Sequence, residues 1–234
     1  MTSPSRVLAA SRTLTAVKGK ALRFDGVDDY VDCGNDESLN FGAGDFSLEA
    51  WFKTSDSDFQ EFLCKKAYGD KGYDLFLDTR ILKARIGTPD VIVNVGNYAD
   101  GLWHHVVAVY DRSSSILVYV DGTHKATSDD ISGVTDVSST FPFKIGVRTD
   151  GSEFHGIVDE VRIYERTLNA AEVLYHKEHP YNPILHGCVL WLGHDSIDEG
   201  AGIWRDKSGL NNDGVIYGAT AVEMNKLAGR VLSV

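Results

Sequence analysis

The chain has 234 residues, 43% of them hydrophobic, and its 34 acidic residues outnumber its 23 basic ones to give a net charge of −11. An acidic surface of this kind repels phosphate backbones and argues against a nucleic-acid partner. The longest apolar runs are only strand-sized, so the sequence predicts no insertion into a membrane.

Residues 1–18 are predicted to form an N-terminal arm. They are small and polar, with scattered serine and threonine, and they contain no uninterrupted apolar stretch of signal-peptide length. No signal peptide is therefore visible, which weakens the case for a secreted origin.

Alternation of apolar and polar residues predicts the first strands of the main domain. Leu48, Ala50 and Phe52 alternate with charged or aromatic neighbours, as in a strand that places one face on a core. The same alternation recurs over residues 73–78 and 81–86. These segments are therefore predicted to be half-buried strands.

Later strands follow at short intervals. Residues 103–110 form an apolar run interrupted by His104 and His105, which is typical of a central strand covered on both faces. The next run, 116–120, ends at the turn dipeptide Asp121-Gly122. Short strands at this spacing, separated by Gly, Asp and Ser, predict an all-β sandwich or jelly roll.

One helix is predicted, over residues 169–177. Asn169 can cap its first turn, Glu172 can complete a capping box, and Pro180 stops it. The chain then divides into the arm, a sandwich over 19–178, a linker over 179–188 and a C-terminal segment over 189–234. About fifty residues are too few for an independent core, so this segment must pack on something larger.

Five motifs stand in a fixed order along the sandwich. They are Phe24–Val31, Phe46–Phe52, Trp103–Val106, Tyr119–Gly122 and Gly156–Tyr164, the last followed by the capped helix. Together they resemble the laminin G-like, concanavalin A-like domains, over roughly residues 19–176. The resemblance implies an antiparallel jelly-roll β-sandwich of concanavalin A-like type with one short helix, frequent calcium binding, and roles in sugar or protein recognition and adhesion.

The order of segments departs from that family. The part that resembles Val189–Gly209 normally precedes the Phe-Asp-Gly strand, whereas here it follows the closing helix, as in a circular permutation. The segment 189–234 can complete its own sandwich, exchange into a neighbouring chain, or begin a truncated second repeat. Its tail, 229–234, repeats residues 19–24, and we expect it at a sheet edge or against another subunit because that place is already filled.

The sequence shows no catalytic pair of carboxylates. Asp159 and Glu160 are neighbours that should point to opposite faces of a regular strand, so they cannot flank one bond. We interpret His104 and His105 as packed, hydrogen-bonded residues rather than as ligands. The three cysteines show no zinc-site spacing and leave a disulfide open: Cys33, Cys64 and Cys188. We expect no enzyme.

A structural calcium ion is the better chemical hypothesis. Asp25 and Asp28 lie in an Asp- and Gly-rich turn, which the resemblance places beside the closing strand. Asp159 is expected to share a core-facing side of its strand with Val161 and Ile163, where a carboxylate needs a strong partner. We therefore name Asp25, Asp28 and Asp159 as candidate calcium ligands. The alternatives are a turn in which Asp25 bonds its own amides, and an Asp159 paired with an arginine.

A sugar site would need exposed aromatic side chains with polar neighbours. Phe59, Phe62, Tyr68 and Tyr98 lie in or near predicted loops, but such residues more often pack in the interior. The sequence leaves the ligand-binding residues unassigned.

Two function classes follow. The first is a non-catalytic structural or assembly protein of a virion or cell surface, which self-associates or contacts neighbouring subunits through its C-terminal segment. The second is a calcium-dependent carbohydrate-binding or adhesion module, with a glycan as its partner. The expected location is a virion, the cell surface or the extracellular space. The placement of residues 184–234 separates the two classes.

Overall fold

The computed structural model describes residues 16–148, 151–227 and 230–231. In these ranges the chain forms the helix α1 (Ala170–Glu178), a 3-10 turn at Glu37–Leu39 and seventeen strands. The strands are β1 (Ala16–Asp25), β2 (Tyr30–Asp32), β3 (Phe46–Lys53), β4 (Gln60–Lys65), β5 (Tyr73–Asp78), β6 (Ile81–Ile86), β7 (Val91–Asn97), β8 (His104–Tyr110), β9 (Ser115–Val120), β10 (Thr123–Asp130), β11 (Lys144–Ile145), β12 (His155–Tyr164), β13 (Cys188–Asp198), β14 (Ile203–Asp206), β15 (Gly214–Tyr217), β16 (Thr220–Leu227) and β17 (Arg230–Val231).

The strands form two facing layers. Layer A runs β16–β1–β12–β3–β8–β9–β10, and every pairing is antiparallel. Layer B runs β15–β2–β11–β4–β5–β6–β7, also antiparallel. β13 pairs with the second half of β12, and β14 joins β13 to β15, so hydrogen bonds connect the two layers. This arrangement confirms the predicted all-β jelly-roll sandwich.

The core lies between the layers. Leu48, Ala50 and Phe52 of β3 are fully buried in one apolar cluster with Leu75 and Leu77 of β5. The predicted alternation of both strands is therefore confirmed. A second, smaller cluster lies on the outer side of layer A, where α1 packs against β8.

α1 begins where the sequence predicts. The Asn169 side chain accepts hydrogen bonds from the N–H groups of Ala171 and Glu172, and the Glu172 carboxylate accepts from the Asn169 N–H at 2.9 Å. This reciprocal arrangement is the predicted capping box. The helix ends at Glu178, one residue beyond the predicted end.

The start of β8 differs from the prediction. The strand begins at His104, and Trp103 is only half-buried, whereas Trp51 and Phe24 are buried as predicted. Asp100 closes a turn just before the strand by accepting the Leu102 N–H at 2.8 Å. Trp103 therefore lies at the rim of layer A rather than within it.

The C-terminal segment pairs with strands of its own chain. β13 pairs with β12, β15 with β2, and β16 along most of β1. β17 pairs with the end of β16. The rest of the predicted tail and most of the predicted arm lie outside the described residues, and the arm's last residues, from Ala16, belong to β1.

The structure also describes the cysteines and the length of the helix. Cys33, Cys64 and Cys188 are buried free thiols, so the disulfide that the sequence left open is not formed. Among the described residues, no helix has the length and apolar character needed to cross a bilayer.

Candidate functional site

Asp25 and Asp28, two of the predicted calcium ligands, lie together with Asp29 at the turn between β1 and β2. One carboxylate oxygen from each lies within 4.8 Å of the other two. Burial, with the charges of Asp25 and Asp28, raises the pKa of Asp29. Asp25 Oδ1 also accepts the Val27 N–H at 2.9 Å, so the alternative of a turn bonded to its own amides is present as well. Three carboxylates at this separation have the donor chemistry of a calcium site.

Asp159, the third predicted ligand, lies elsewhere. β1 and β12 pair Asp25 with His155, and Asp159 lies four residues further along β12, about 13 Å away at the rise of a strand. A β-bulge between Asp159 and Arg162, with Glu160 at φ 51°, breaks the alternation of the strand. The expectation that Asp159 shares the core-facing side with Val161 is therefore wrong.

The same bulge overturns a second expectation. Asp159 and Glu160 do not point to opposite faces, because both line one crevice on the outer side of layer A, together with Trp51 and Trp103. Glu160 is fully occupied there. It accepts hydrogen bonds from Trp191 Nε1 at 3.0 Å and from the His194 backbone at 2.9 Å, and it pairs with Arg162.

A buried polar network centres on Glu49, on the outer side of layer A. The Glu49 carboxylate accepts from Arg162 Nη1 at 2.5 Å, His105 Nε2 at 2.9 Å and His176 Nδ1 at 2.9 Å. Although burial opposes the charged form, Arg162 and the two imidazoles hold the pKa of Glu49 well below its usual range. The network ties β3, β8, β12 and α1 together.

His104 bonds two carboxylates, Asp121 at 2.9 Å and Asp100 at 3.1 Å. Burial lowers the pKa of His104, but these carboxylates outweigh burial and raise it. His104 and His105 are thus packed and hydrogen-bonded, which confirms their interpretation from the sequence.

The outward side of layer B, which we call the layer B face, carries a different set of side chains. One cross-strand row runs through Asp32, Lys144, Cys64, Asp74, Arg85 and Ile92. The next row runs through Glu61, Phe76, Lys83 and Asn94. A bulge in β4 brings Glu61 to the same face as Cys64, although three positions separate them.

Two buried carboxylates on the layer B face share one guanidinium. Arg85 Nε donates to the two oxygens of Asp74 at 3.0 and 2.9 Å, and Arg85 Nη2 donates to Glu61 Oε1 at 2.8 Å. Arg148 Nη1 donates to the same Glu61 oxygen at 2.8 Å. Glu61 and Asp74 have no exposed surface, so these four ionisable side chains form a buried, hydrogen-bonded group within the face.

Burial changes the pKa values of both carboxyl groups. Burial raises the pKa of Asp74, against the opposing effect of Arg85. Burial and the nearby Asp74 raise the pKa of Glu61 well above its usual range. Glu61 Oε2 finds no hydrogen-bond partner among the described residues. Strongly perturbed buried acids of this kind are concentrated at functional sites.

Exposed aromatic rings lie over this charge cluster. The Arg148 guanidinium is 5.2 Å from the ring centre of Phe59 and 5.7 Å from that of Tyr68. Phe59 is 38% exposed and Tyr68 is 78% exposed. Of the four aromatic residues named from the sequence, Phe62 lies in the core and Tyr98 packs on the His104 ring, whereas these two remain at the surface.

The charged part of this site was not predicted from the sequence, although one signal for it is present there. A tight turn at Thr79–Arg80 joins β5 to β6 and pairs Asp78 with Ile81, which sets Asp74 opposite Arg85. Both residues occupy the polar positions of alternating strands. Glu61 and Arg148 had no comparable signal, because the bulge in β4 and a loop after β11 position them.

The described residues form an antiparallel jelly-roll β-sandwich with one short helix. The family model described as the concanavalin A-like lectin/glucanases superfamily matches residues 25–174, more than half of the chain. The chain belongs to this superfamily, as its five motifs suggested. No curated protein matches the chain.

Solved structures share the fold at low sequence identity. A protein from Bacteroides ovatus that is proposed to bind carbohydrate has 21% identity and a TM-score of 0.68, over 92% of this chain and 61% of that one. The binding domain of Paraclostridial Mosquitocidal Protein 1 has 14% identity and a TM-score of 0.55, over 71% of this chain and 48% of that one. A heptameric SAP-like pentraxin from Limulus polyphemus has 13% identity and a TM-score of 0.55, over 71% of this chain and 84% of that one. The chain spans less than two thirds of the first two proteins.

Proposed function

We propose that this chain is a non-catalytic carbohydrate-binding domain that holds a glycan on the layer B face, against Tyr68 and Phe59. The observation that carries the proposal is the pair of exposed aromatic rings fixed over a buried arginine. Aromatic faces pack against the apolar faces of sugar rings, while charged and amide groups bond their hydroxyls. The protein from Bacteroides ovatus, with the same fold, adds support from a relative proposed to bind carbohydrate.

Hydrogen bonds hold the arginine beneath the two rings in place, which favours binding. Arg148 is held from below by Glu61, and Glu61 is held by Arg85, so the rings rest on a fixed charge network. A ligand then orders few side chains when it binds, and less free energy is lost. Lys83 and Asn94, on the same face, offer polar groups beside the rings.

The cluster is better suited to binding than to catalysis. Glycoside hydrolysis requires two carboxyl groups that reach opposite sides of one glycosidic bond. Glu61 and Asp74 are both fully buried and both bonded to Arg85, so neither presents an oxygen to a ligand on the face.

The assembly role expected from the sequence depended on an exchanged C-terminal segment. In the described residues that segment pairs with β1, β2 and β12 of its own chain. This pairing favours the binding role over the assembly role. Self-association remains an expectation that light scattering on the full chain would test.

The binding proposal is tested by affinity electrophoresis through gels that contain soluble xylan, laminarin, mannan or β-glucan. We expect at least one polysaccharide to retard the protein, and Tyr68→Ala to weaken that binding at least tenfold, which corresponds to about 1.4 kcal/mol. Leu185→Ala, an exposed apolar residue outside the face, serves as the matched control and should bind normally. Retardation of Tyr68→Ala equal to that of the wild type, or no retardation by any of the four, would contradict the proposal.

We further propose that calcium binds the turn formed by Asp25, Asp28 and Asp29. The supporting observation is the three carboxylates within 4.8 Å, and a bound ion would supply positive charge to hold the turn. An ion that binds the folded state alone stabilises it by mass action, so chelator should lower the melting temperature and calcium should restore it. Asp28→Ala should abolish this response, whereas Asp36→Ala and Asp159→Ala should keep it. An unchanged melting curve with chelator would leave the self-bonded turn as the explanation.

A further inference from the structure

A second aromatic group lies on the layer B face, at the side of the layer formed by β15 and β2. Tyr30 of β2 and Tyr217 of β15 are register partners, and their rings are stacked with centres 4.5 Å apart. Val31 is buried in the core, so its neighbour Tyr30 points to the outward side of the layer. Tyr217 is 45% exposed. This tyrosine pair therefore presents aromatic surface on the same face as Tyr68.

A lysine ammonium stands over the tyrosine pair. Lys144 Nζ lies 4.6 Å from the centre of the Tyr30 ring. Among the described residues, no ion pair engages this ammonium, whereas Lys83 on the same face pairs with Asp78 at 2.7 Å. Asp32, the register partner of Lys144, accepts the Gly34 N–H at 2.8 Å. The Lys144 ammonium is thus held beside aromatic surface and is available to an anion.

Strand register places the tyrosine pair in line with the rings of the proposed glycan site. Across β2, β11 and β4, the positions of Asp32, Lys144 and Cys64 form one row, and both Tyr30 and Glu61 lie beyond it in the same direction. Two strand spacings, about 10 Å, separate Tyr30 from Glu61, which holds the guanidinium beneath the exposed rings. A chain of sugar rings can therefore contact both aromatic groups at once.

The backbone between the two aromatic groups leaves this line open. Gly146 follows β11 at the intervening position, and its N–H donates to the Phe62 carbonyl at 3.1 Å. A Cβ at Gly146 would lie 2.5 Å from the Phe24 ring, which is in the core, so the outward side of this position carries no side chain. A bound chain can thus lie close to the sheet between the two groups.

We propose that the tyrosine pair and Lys144 form a second subsite for the same glycan, and that this subsite takes a sugar carrying a carboxylate. The inference rests on the proposed glycan site and names its preferred ligand class, an extended chain with acidic substituents. A bond from the ammonium to the carboxylate is charge-assisted, and such bonds are about twice as strong as neutral ones. The tyrosine rings offer the sugar an apolar surface, and their hydroxyls offer it polar partners.

The charge of the whole chain makes the position of Lys144 decisive. A net charge of −11 repels acidic ligands at long range. A preference for an acidic sugar therefore requires a cation that the ligand contacts directly. Among the lysines and arginines on the layer B face, Lys144 meets this condition, because Lys83 and Arg85 are paired with carboxylates and Arg148 is bonded to Glu61.

The test is isothermal titration calorimetry of the full chain with two forms of one polysaccharide. The first form is soluble glucuronoxylan, and the second is the same glucuronoxylan after chemical reduction of its carboxyl groups. The two forms share their backbone, so they differ in charge alone. We expect the wild type to bind the acidic form at least fivefold more tightly, and added salt to reduce this preference.

Substitutions locate the preference. Lys144→Met should remove it, so that both forms bind with the affinity of the reduced form. Tyr217→Ala should weaken binding of the acidic form at least threefold. Lys125→Met makes the same change of charge at an exposed lysine of β10, in layer A, and should keep the preference. The comparison of the two forms on the wild type needs no substitution, so it remains decisive even if a variant fails to fold.

Equal affinity of the wild type for the two forms, no binding of either form, or a preference that Lys144→Met retains would overturn the inference. Tyr68→Ala separates this failure from failure of the proposed function. If the wild type binds both forms equally and Tyr68→Ala weakens both, the glycan site stands and the acidic subsite is refuted. If Tyr68→Ala binds both forms as tightly as the wild type, the proposed function fails and the inference fails with it.

Discussion

From the charge cluster on the layer B face we predict a large loss of stability when Arg85 is replaced. Arg85→Met keeps a side chain of similar length but removes the guanidinium. Asp74 then loses the ion pair that the described residues give it, and Glu61 retains Arg148 alone. Asp74 has no exposed surface, so water cannot replace the lost partner without local opening.

The magnitude follows from the burial of both partners. Removing one member of a buried ion pair typically destabilises a protein by about 3–5 kcal/mol, because the remaining charge stays buried and unpaired. For a chain of this size each kcal/mol lowers the melting temperature by about 2–4 °C, which gives a decrease of about 6–20 °C. The loss of the Arg85 contact with the Phe76 ring, 4.5 Å from its centre, acts in the same direction.

The effect should depend on pH in a defined direction. Burial already raises the pKa of Asp74 beside Arg85, and without Arg85 that pKa must rise further. A carboxyl group with a raised folded-state pKa contributes stability below its unfolded pKa of about 3.9 and loses it as the pH rises. The variant should therefore approach the wild type in acid and fall furthest behind at neutral pH and above.

The measurement is urea unfolding of the wild type, Arg85→Met and Arg85→Met/Asp74→Asn from pH 4 to pH 8. The double variant removes both charges, and we expect it to recover most of the lost free energy of unfolding at pH 7. A loss below about 1 kcal/mol for Arg85→Met, or a double variant less stable than the single one, would refute the reasoning from buried charge.

Two shorter predictions concern other parts of the chain. Gly72→Ala should destabilise the fold far more than Gly69→Ala, as measured by thermal unfolding. Both glycines have positive φ, but a Cβ at Gly72 would lie 2.2 Å from the Lys65 carbonyl oxygen, whereas a Cβ at Gly69 would meet no atom within 4 Å. Equal losses of stability would contradict the steric argument. Asp121 and Asp100 raise the pKa of His104, so the contribution of His104 to stability is present below about pH 6.5 and is lost as the pH rises. His104→Gln should therefore flatten the decline in melting temperature between pH 6 and pH 8. An unaltered slope would count against the ion pair.

The sequence by itself determined the strands whose alternation is regular. In β3 and β5 a residue's face follows from its position alone, since successive side chains alternate, and the structure confirms the predicted core positions there. It also determined the capped helix, because the Asn169 and Glu172 bonds form within a single turn. Local chemistry of this kind requires no knowledge of the distant chain.

Tertiary structure decided the positions that depend on irregular backbone and on distant strands. The bulge in β12 placed Asp159 on the side opposite the core-facing Val161, and the bulge in β4 brought Glu61 beside Asp74. The register of β1 with β12, which sets Asp25 opposite His155, placed Asp159 far from Asp25. A bulge shifts every later side chain to the other face, and its position depends on pairing with a strand far away in sequence. Arg148 reaches Glu61 across 87 residues for the same reason. The face on which the proposed ligand rests is therefore set by strand pairing, which the order of residues alone does not reveal.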